Sequence, residues 1–460
     1  MNGPARTFAL ISLITSILLF MHLMPDMTVN GTELRPVSIL SDIIPQGKTE
    51  EDISVIPKPE IPKRIAMAEK ANVNDASQAK NKKKKAHHPG VVEIEDYGVN
   101  TPSMSHFYAA IKNRNSMNRP VRIAYYGDSF IEGDIMTCDL REMLQRKFGG
   151  TGVGWVDCGS PILHNRRTIT QKASGIREYE VVKKPFNHAL EGISQRYFQL
   201  SEGAKVTCTG TKYKPLSATW TNSTLYFRTK GGFTLKTAIN GVLHETAHIT
   251  GSQSVQHRTV KGKMSSVGYT FTGIGSGTQA FGMALESNQG IILDNFSMRG
   301  SAGFTLANIP LSTMKQFAAI RPYDLIVLHF GLNVANRRNP MSVYKTYISR
   351  MKRVIRLMQQ AYPSASILVV SVPDRDERTA SGITTMHGIE ELGGYQRLMA
   401  SQCGVAFYDL FKAMGGKGSM KKLVERRMAN KDYTHLSYGG GKFVAEKFYN
   451  SIVAGYNDSY

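Results

Sequence analysis

Cysteine is scarce in this chain. Cys138, Cys158, Cys208 and Cys403 are all that 460 residues contain, and their spacing matches no metal-ligand pattern. Four thiols in an exported protein can pair, but spacing alone does not say which. Acidic residues are also under-represented, 36 Asp and Glu against 57 Lys and Arg, for a formal net charge of +21. The chain up to Gly90 carries a net +3, its Lys82–Lys85 run included, which leaves +18 on the remainder. So broad a positive surface suits anionic polymers and membrane surfaces. No nucleic-acid motif accompanies it, so nucleic acid is not an expected partner. Long apolar runs are confined to Phe8–Met24, broken only by Ser12, Thr15, Ser16 and His22. That run is at the lower limit for a bilayer span of ~20 residues. No small-x-small cleavage pattern follows it, so residues 1–25 are expected to be an uncleaved membrane anchor rather than a cleaved signal. With Arg6 ahead of the run, the remainder is expected outside the cytoplasm.

What is present is apolar enough to bury a sizeable core, with 41% hydrophobic residues. Residues 26–90 hold several prolines, many charges and few aromatics, which predicts a disordered spacer. From residue 91 an α/β pattern begins. Phe107, Ala110 and Ile111 share a helical face, an apolar strand runs through Val121, Ile123 and Ala124, and an amphipathic helix follows, ending at Gly149 and Gly150. Between about 178 and 294 the chain becomes rich in Thr, Ser, Gly and aromatics in short alternating runs, which predicts an all-β insertion, a sandwich or jelly roll. From 295 to 460 the α/β pattern resumes with "YDLIVLHFGLN", a long amphipathic helix, "SILVVSVPD" and "VAFYDL". The expected division is thus 1–25, 26–90, 91–177, 178–294 and 295–460. The expected fold class is α/β, with a parallel-sheet core interrupted by an all-β insertion.

The first strand stops at Gly127-Asp128-Ser129, which puts a small hydroxyl at a sheet edge where α/β folds usually bind ligands. This is not the G-x-S-x-G elbow, because Ile131 stands where the second glycine belongs. A nucleophilic serine needs a base and a group to orient it. Near the C-terminus Asp432 precedes His435 by three residues, a spacing at which a carboxylate on a tight turn can accept Nδ1–H and leave Nε2 for the serine proton. A tetrahedral oxyanion also needs donors. The Ser129 N–H, the Asn333 amide past the strand "LIVLHFG" and the Gly300 N–H in "NFSMRGSAG" are the candidates.

Together these blocks resemble the SGNH, or GDSL, hydrolase superfamily. Gly127-Asp128-Ser129, Gly300, Gly331-Leu332-Asn333 and Asp432-x-x-His435 match its blocks in order. The third block usually reads Gly-x-Asn-Asp, and here Val334 replaces the Asp. Gly303 rivals Gly300 for the second block. "FGGTGVGWV", the β-insertion and "FKAMGG" narrow the resemblance to bacterial peptidoglycan O-acetylesterases. It implies a three-layer α/β/α core, catalytic Ser129, Asp432 and His435, and an oxyanion hole of Ser129, Gly300 and Asn333. It also implies no metal or organic cofactor, a cell-envelope location, and hydrolysis of acetyl esters on peptidoglycan or another polysaccharide. Acetyl transfer by the same residues, or non-catalytic glycan binding through the β-insertion, are the alternatives.

Other readings compete. Asp128 is expected to be a turn acceptor, and His329, inside an apolar strand, a buried and satisfied histidine. "HETAH", His244 to His248, fits the H-E-x-x-H zinc pattern, but its flanks are rich in β-branched residues. In a strand the two imidazoles would sit ~13 Å apart, too far to share one zinc. The basic stretch before Asp432 is expected to be a solvated helix face.

Overall fold

The computed structural model describes residues 27–29, 32–34 and 88–460. The expected anchor, residues 1–25, lies outside them, as does most of the expected spacer. Within that spacer Met27–Val29 (β1) and Thr32–Leu34 (β2) pair antiparallel. This pair belongs to a unit of residues 1–57, separate from that of residues 58–460. Among the described residues no helix is long and apolar enough to cross a membrane.

The larger unit contains two large sheets and a two-stranded one, Asp376–Thr379 (β16) antiparallel to Gly382–Thr385 (β17). Val121–Gly127 (β3), Ile291–Ser297 (β13), Leu325–His329 (β14), Ser366–Val370 (β15) and Ala406–Tyr408 (β18) form a five-stranded sheet in the order β13-β3-β14-β15-β18. All four pairings are parallel. Every residue of β3, β14, β15 and β18 is buried, as a sheet covered on both faces requires. Ser297, Gly127, His329, Val370 and Tyr408 fall in one register row at its C-terminal edge. Helices Ser105–Lys112 (α1), Thr137–Phe148 (α2), Leu311–Ile320 (α3), Met341–Ala361 (α4), Ile389–Cys403 (α5), Leu410–Met414 (α6), Ser419–Glu425 (α7) and Tyr438–Ser459 (α8) accompany it. Gly441 lets α8 approach the chain ahead of α2 closely, because a Cβ there would strike the Ile135 carbonyl.

The second sheet is antiparallel. It comprises Gly154–Val156 (β4), Ile169–Glu180 (β5), Arg196–Gly210 (β6), Trp220–Thr229 (β7), Phe233–Ile239 (β8), Val242–Ile249 (β9), Ser252–Met264 (β10), Ser266–Thr272 (β11) and Gln279–Glu286 (β12). The order is β10-β7-β12-β6-β11-β8-β9, with β5 on β6 and β4 on β12. The first and last strands of that order meet, since Arg258 of β10 pairs with Glu245 of β9 at 2.7 Å, so the sheet curls back on itself. Period-two burial in β11 turns Val267, Tyr269 and Phe271 into its core, where they join Phe198, Trp220, Phe227 and Leu235. The "HETAH" segment lies in β9, a strand rather than a zinc-binding helix.

The expected boundaries at 178 and 294 each fall inside a strand. β5 pairs with β6 from Ile169 onward, and β13 joins the parallel sheet from Ile291. The curled sheet begins before the first of these boundaries, with β4 at Gly154 and β5 at Ile169. A buried ionic network crosses from one sheet to the other. Glu286 of β12 meets Arg122 of β3 at 2.6 Å and Arg321 at 3.0 Å, and Arg321 also holds Asp294 of β13 at 2.7 Å. Against a large desolvation that would raise it, the two guanidinium groups hold Glu286 down at about 2.

Candidate active site

The apolar β3 strand ends at Gly127, and the chain turns at once. Asp128 Oδ1 accepts the Phe130 N–H at 2.9 Å, closing the turn that presents Ser129. Ser129 is only partly buried. From 306 residues away, His435 Nε2 comes within 3.0 Å of its Oγ. His435 Nδ1 lies 2.8 Å from Asp432 Oδ2, and Asp432 Oδ1 accepts the N–H groups of Thr434 and His435 at 3.0 Å. Burial raises the Asp432 carboxyl, but these N–H groups and the imidazole outweigh it and hold the carboxyl below its ordinary range. The turn is cinched by Tyr433 at φ +54°, by Asn430 N–H on the His435 carbonyl, and by Asp376 N–H on the Tyr433 carbonyl. Ser129, His435 and Asp432, expected to meet, are brought together.

The loop after β13 closes the other side. Met298 N–H bonds the Gly127 carbonyl, and Arg299 reaches Glu132 at 2.7 Å, which pins Gly300 beside the turn carrying Ser129. Gly300, at φ +76°, is exposed with open space where a Cβ would be, and its N–H and that of Ser129 are unpaired among the described residues. The N–H of its rival, Gly303, is already given to Ser301 Oγ at 3.0 Å. Asn333 stands past β14 as expected, but its amide is engaged. Nδ2 donates to Asp128 Oδ2 at 3.2 Å and to the Ser301 carbonyl at 3.0 Å.

Asp128 therefore does more than close a turn, because it also orients Asn333. Nothing local to Asp128 in the sequence signals this, because Asn333 stands 205 residues away. Burial pushes the Asp128 carboxyl up to about 6, against the lowering effect of Phe130 N–H, His435 and Asn333. His329 is buried as expected but only half satisfied. Its Nδ1 lies 3.0 Å from Tyr125 Oη, while Nε2 has no partner among the described residues. Burial drives it down to about 3, so it stays neutral. The four cysteines are unpaired, and among the described residues no group of three or more His, Cys, Asp or Glu is placed to hold a metal. Lys421, Lys422, Arg426, Arg427 and Lys431, ahead of Asp432, are exposed.

A serine, an imidazole and a carboxylate in line, with two free N–H groups at the end of a parallel sheet, are the parts of a serine hydrolase site. No protein-family model matches the sequence, and no curated protein matches it. Solved structures do match. A peptidoglycan O-acetylesterase overlays 79% of this chain and 99% of its own, with a TM-score of 0.66 and 20% identity. A carbohydrate acetylesterase from Sinorhizobium meliloti overlays 36% of this chain and 79% of its own, with a TM-score of 0.26 and 14% identity. A family two carbohydrate esterase from Clostridium thermocellum overlays 57% and 95%, with a TM-score of 0.26 and 11% identity. The first shows that this chain shares the peptidoglycan O-acetylesterase fold, and the other two are too distant to argue from. The fold that the motif resemblance to O-acetylesterases implied is the one this solved structure returns.

Proposed function

We propose that this chain is an extracytoplasmic serine esterase that removes O-acetyl groups from peptidoglycan or another polysaccharide, held at the bacterial envelope by its N-terminal apolar segment. On this reading the parallel sheet and its helices form a three-layer core, and the curled sheet is a glycan-positioning insertion. The observation that carries it is the Ser129–His435–Asp432 line, with separations of 3.0 and 2.8 Å.

Ser129 Oγ attacks the acetyl carbonyl carbon while its proton passes to His435 Nε2, and Asp432 stabilises the imidazolium and holds its tautomer. The oxyanion is met by the N–H groups of Ser129 and Gly300. Asn333 joins them as charge develops, its hydrogen leaving the Ser301 carbonyl for the oxyanion while Asp128 retains the other. His435 returns its proton to the departing sugar oxygen. Water, deprotonated by the same imidazole, then attacks the acetyl-enzyme, and acetate leaves with Ser129 restored.

The test is acetate release from O-acetylated peptidoglycan together with hydrolysis of 4-nitrophenyl acetate. Both are expected in the wild type, to survive exhaustive chelation, and to vanish in Ser129→Ala. Near-wild-type turnover in Ser129→Ala would reduce the hydroxyl to a turn residue and end the esterase reading.

A further inference from the structure

The curled sheet has a face that none of the described residues covers. On strands β5, β6, β11 and β8 inward residues join the insertion's core, and the alternate residues of these strands and of β9 point outward. The register places Ser174, Lys205, Thr270, Lys236 and Thr246 directly beside one another, one from each strand. Hydroxyl and ammonium groups alternate along this row, which spans roughly 19 Å at an interstrand spacing of about 4.8 Å. Ser174, Lys205, Lys236 and Thr246 are exposed, and Thr270 partly so. Lys172, in the neighbouring row opposite Thr207, adds a third exposed ammonium. Elsewhere the outward residues of the paired segments 170–174, 205–209, 234–238, 246–248 and 266–272 are Thr, Ser, Gly, Ala and His, with no carboxylate. The nearest in sequence, Glu245, adjoins Thr246 but takes the opposite face of β9 and pairs with Arg258, and Glu202 lies beyond the row, engaged by the N–H groups of Gly273 and Ile274. None of the three lysines has an ion-pair partner among the described residues, although 23 other pairs form.

We propose that this row is a binding surface for a linear anionic glycan. The inference deepens the polysaccharide-esterase reading and rests on it for the substrate class. Lysines two strands apart along one row suit a partner with regularly recurring negative charge, and the serine and threonine hydroxyls between them can bond sugar hydroxyls. A pyranose unit spans about one interstrand gap, so a chain lying across the strands would meet an ammonium at alternate sugars. The row also leads back to the candidate active site. β5 begins just after Arg166 and Thr168, both bonded to Asp134 five residues past Ser129.

The test compares the full-length wild type, Lys205→Gln/Lys236→Gln, and a charge-matched control, Arg353→Gln/Arg356→Gln, on the exposed face of α4. Each is measured for binding to polygalacturonate, to neutral pullulan and to anionic phosphatidylglycerol vesicles, and for 4-nitrophenyl acetate hydrolysis. Expected is salt-sensitive binding to polygalacturonate over pullulan, weakened about tenfold or more by the lysine pair and left near wild type by the arginine pair. Hydrolysis of the small ester should be the same in all three proteins. Equal loss in both variants would overturn the proposal in favour of diffuse charge. So would loss of vesicle binding in the lysine variant with polygalacturonate binding unchanged. A wild type that binds polygalacturonate through the two lysines yet hydrolyses no ester supports the surface and overturns the esterase reading instead.

Discussion

Ser129 and His435 serve one proton transfer, so their substitutions should not add. Ser129→Ala and His435→Ala are each expected to lower kcat by roughly 10⁴-fold or more, and the double variant little further. Near-multiplicative losses in single-turnover kinetics would separate the two residues. Asn333→Ala should raise the barrier by ~3 kcal/mol, the usual contribution of one oxyanion donor. Asp128 sets stability against activity. Burial raises its carboxyl from the ordinary 3.8 to about 6, so its contribution favours folding below about pH 4 and is lost as pH rises towards 6. Asp128→Asn should therefore gain roughly 1–3 kcal/mol at pH 7 while kcat falls, because Asn333 loses its acceptor. Urea titrations at pH 4 and pH 7 check the first half, since the gain should shrink at the lower pH.

Among the elements that frame the site, the loop after β13 carries two glycines with different tasks. Gly303, at φ +88°, would place a Cβ 2.6 Å from the Phe330 ring, whereas a Cβ at Gly300 meets nothing within 4 Å. Gly303→Ala is expected to cost about 2–4 kcal/mol through overpacking and left-handed strain. Gly300→Ala should cost only ~1 kcal/mol and keep its N–H, and with it most of the activity. Thermal denaturation and ester hydrolysis on the pair decide between them. A Gly303→Ala protein as stable as Gly300→Ala would contradict the packing of this loop.

For the whole molecule, the two sheets are joined by buried charge, and buried charge responds to acid. Glu286 is held down from the ordinary 4.5 to about 2 by Arg122 and Arg321, and Asp134, despite strong desolvation, is held well below the carboxylate range by Arg141 and Arg166. Both shifts are downward, so the stability they contribute is full above about pH 4.5 and is lost as pH falls through the folded values. Denaturation midpoints should drop steeply between pH 4.5 and 2. Glu286→Gln should flatten that drop by up to roughly 3 kcal/mol while lowering stability at pH 7, since it leaves Arg122 and Arg321 short of a counter-charge. An unchanged slope would mean that this junction does not couple the sheets.

The sequence by itself determined what is encoded locally. Continuous apolar runs broken by glycine specify parallel strands, period-two alternation specifies the antiparallel ones, and Asp432 and His435 meet because three residues are one turn. Gly127-Asp128-Ser129 was legible for the same reason, being a strand end and a turn in consecutive residues. Tertiary structure alone decided the contacts between distant residues. Asp128 and Asn333 lie 205 residues apart, and only the β3–β14 register brings them together. Which glycine keeps a free N–H depends on where Ser301 Oγ points, and the insertion's true limits depend on pairing rather than composition. Lys205 and Lys236 become neighbours across β11 only once three strands align. Local propensity sets which strand a residue joins and which face it takes, but the hydrogen-bonded register between strands is fixed when the whole sheet closes over its core.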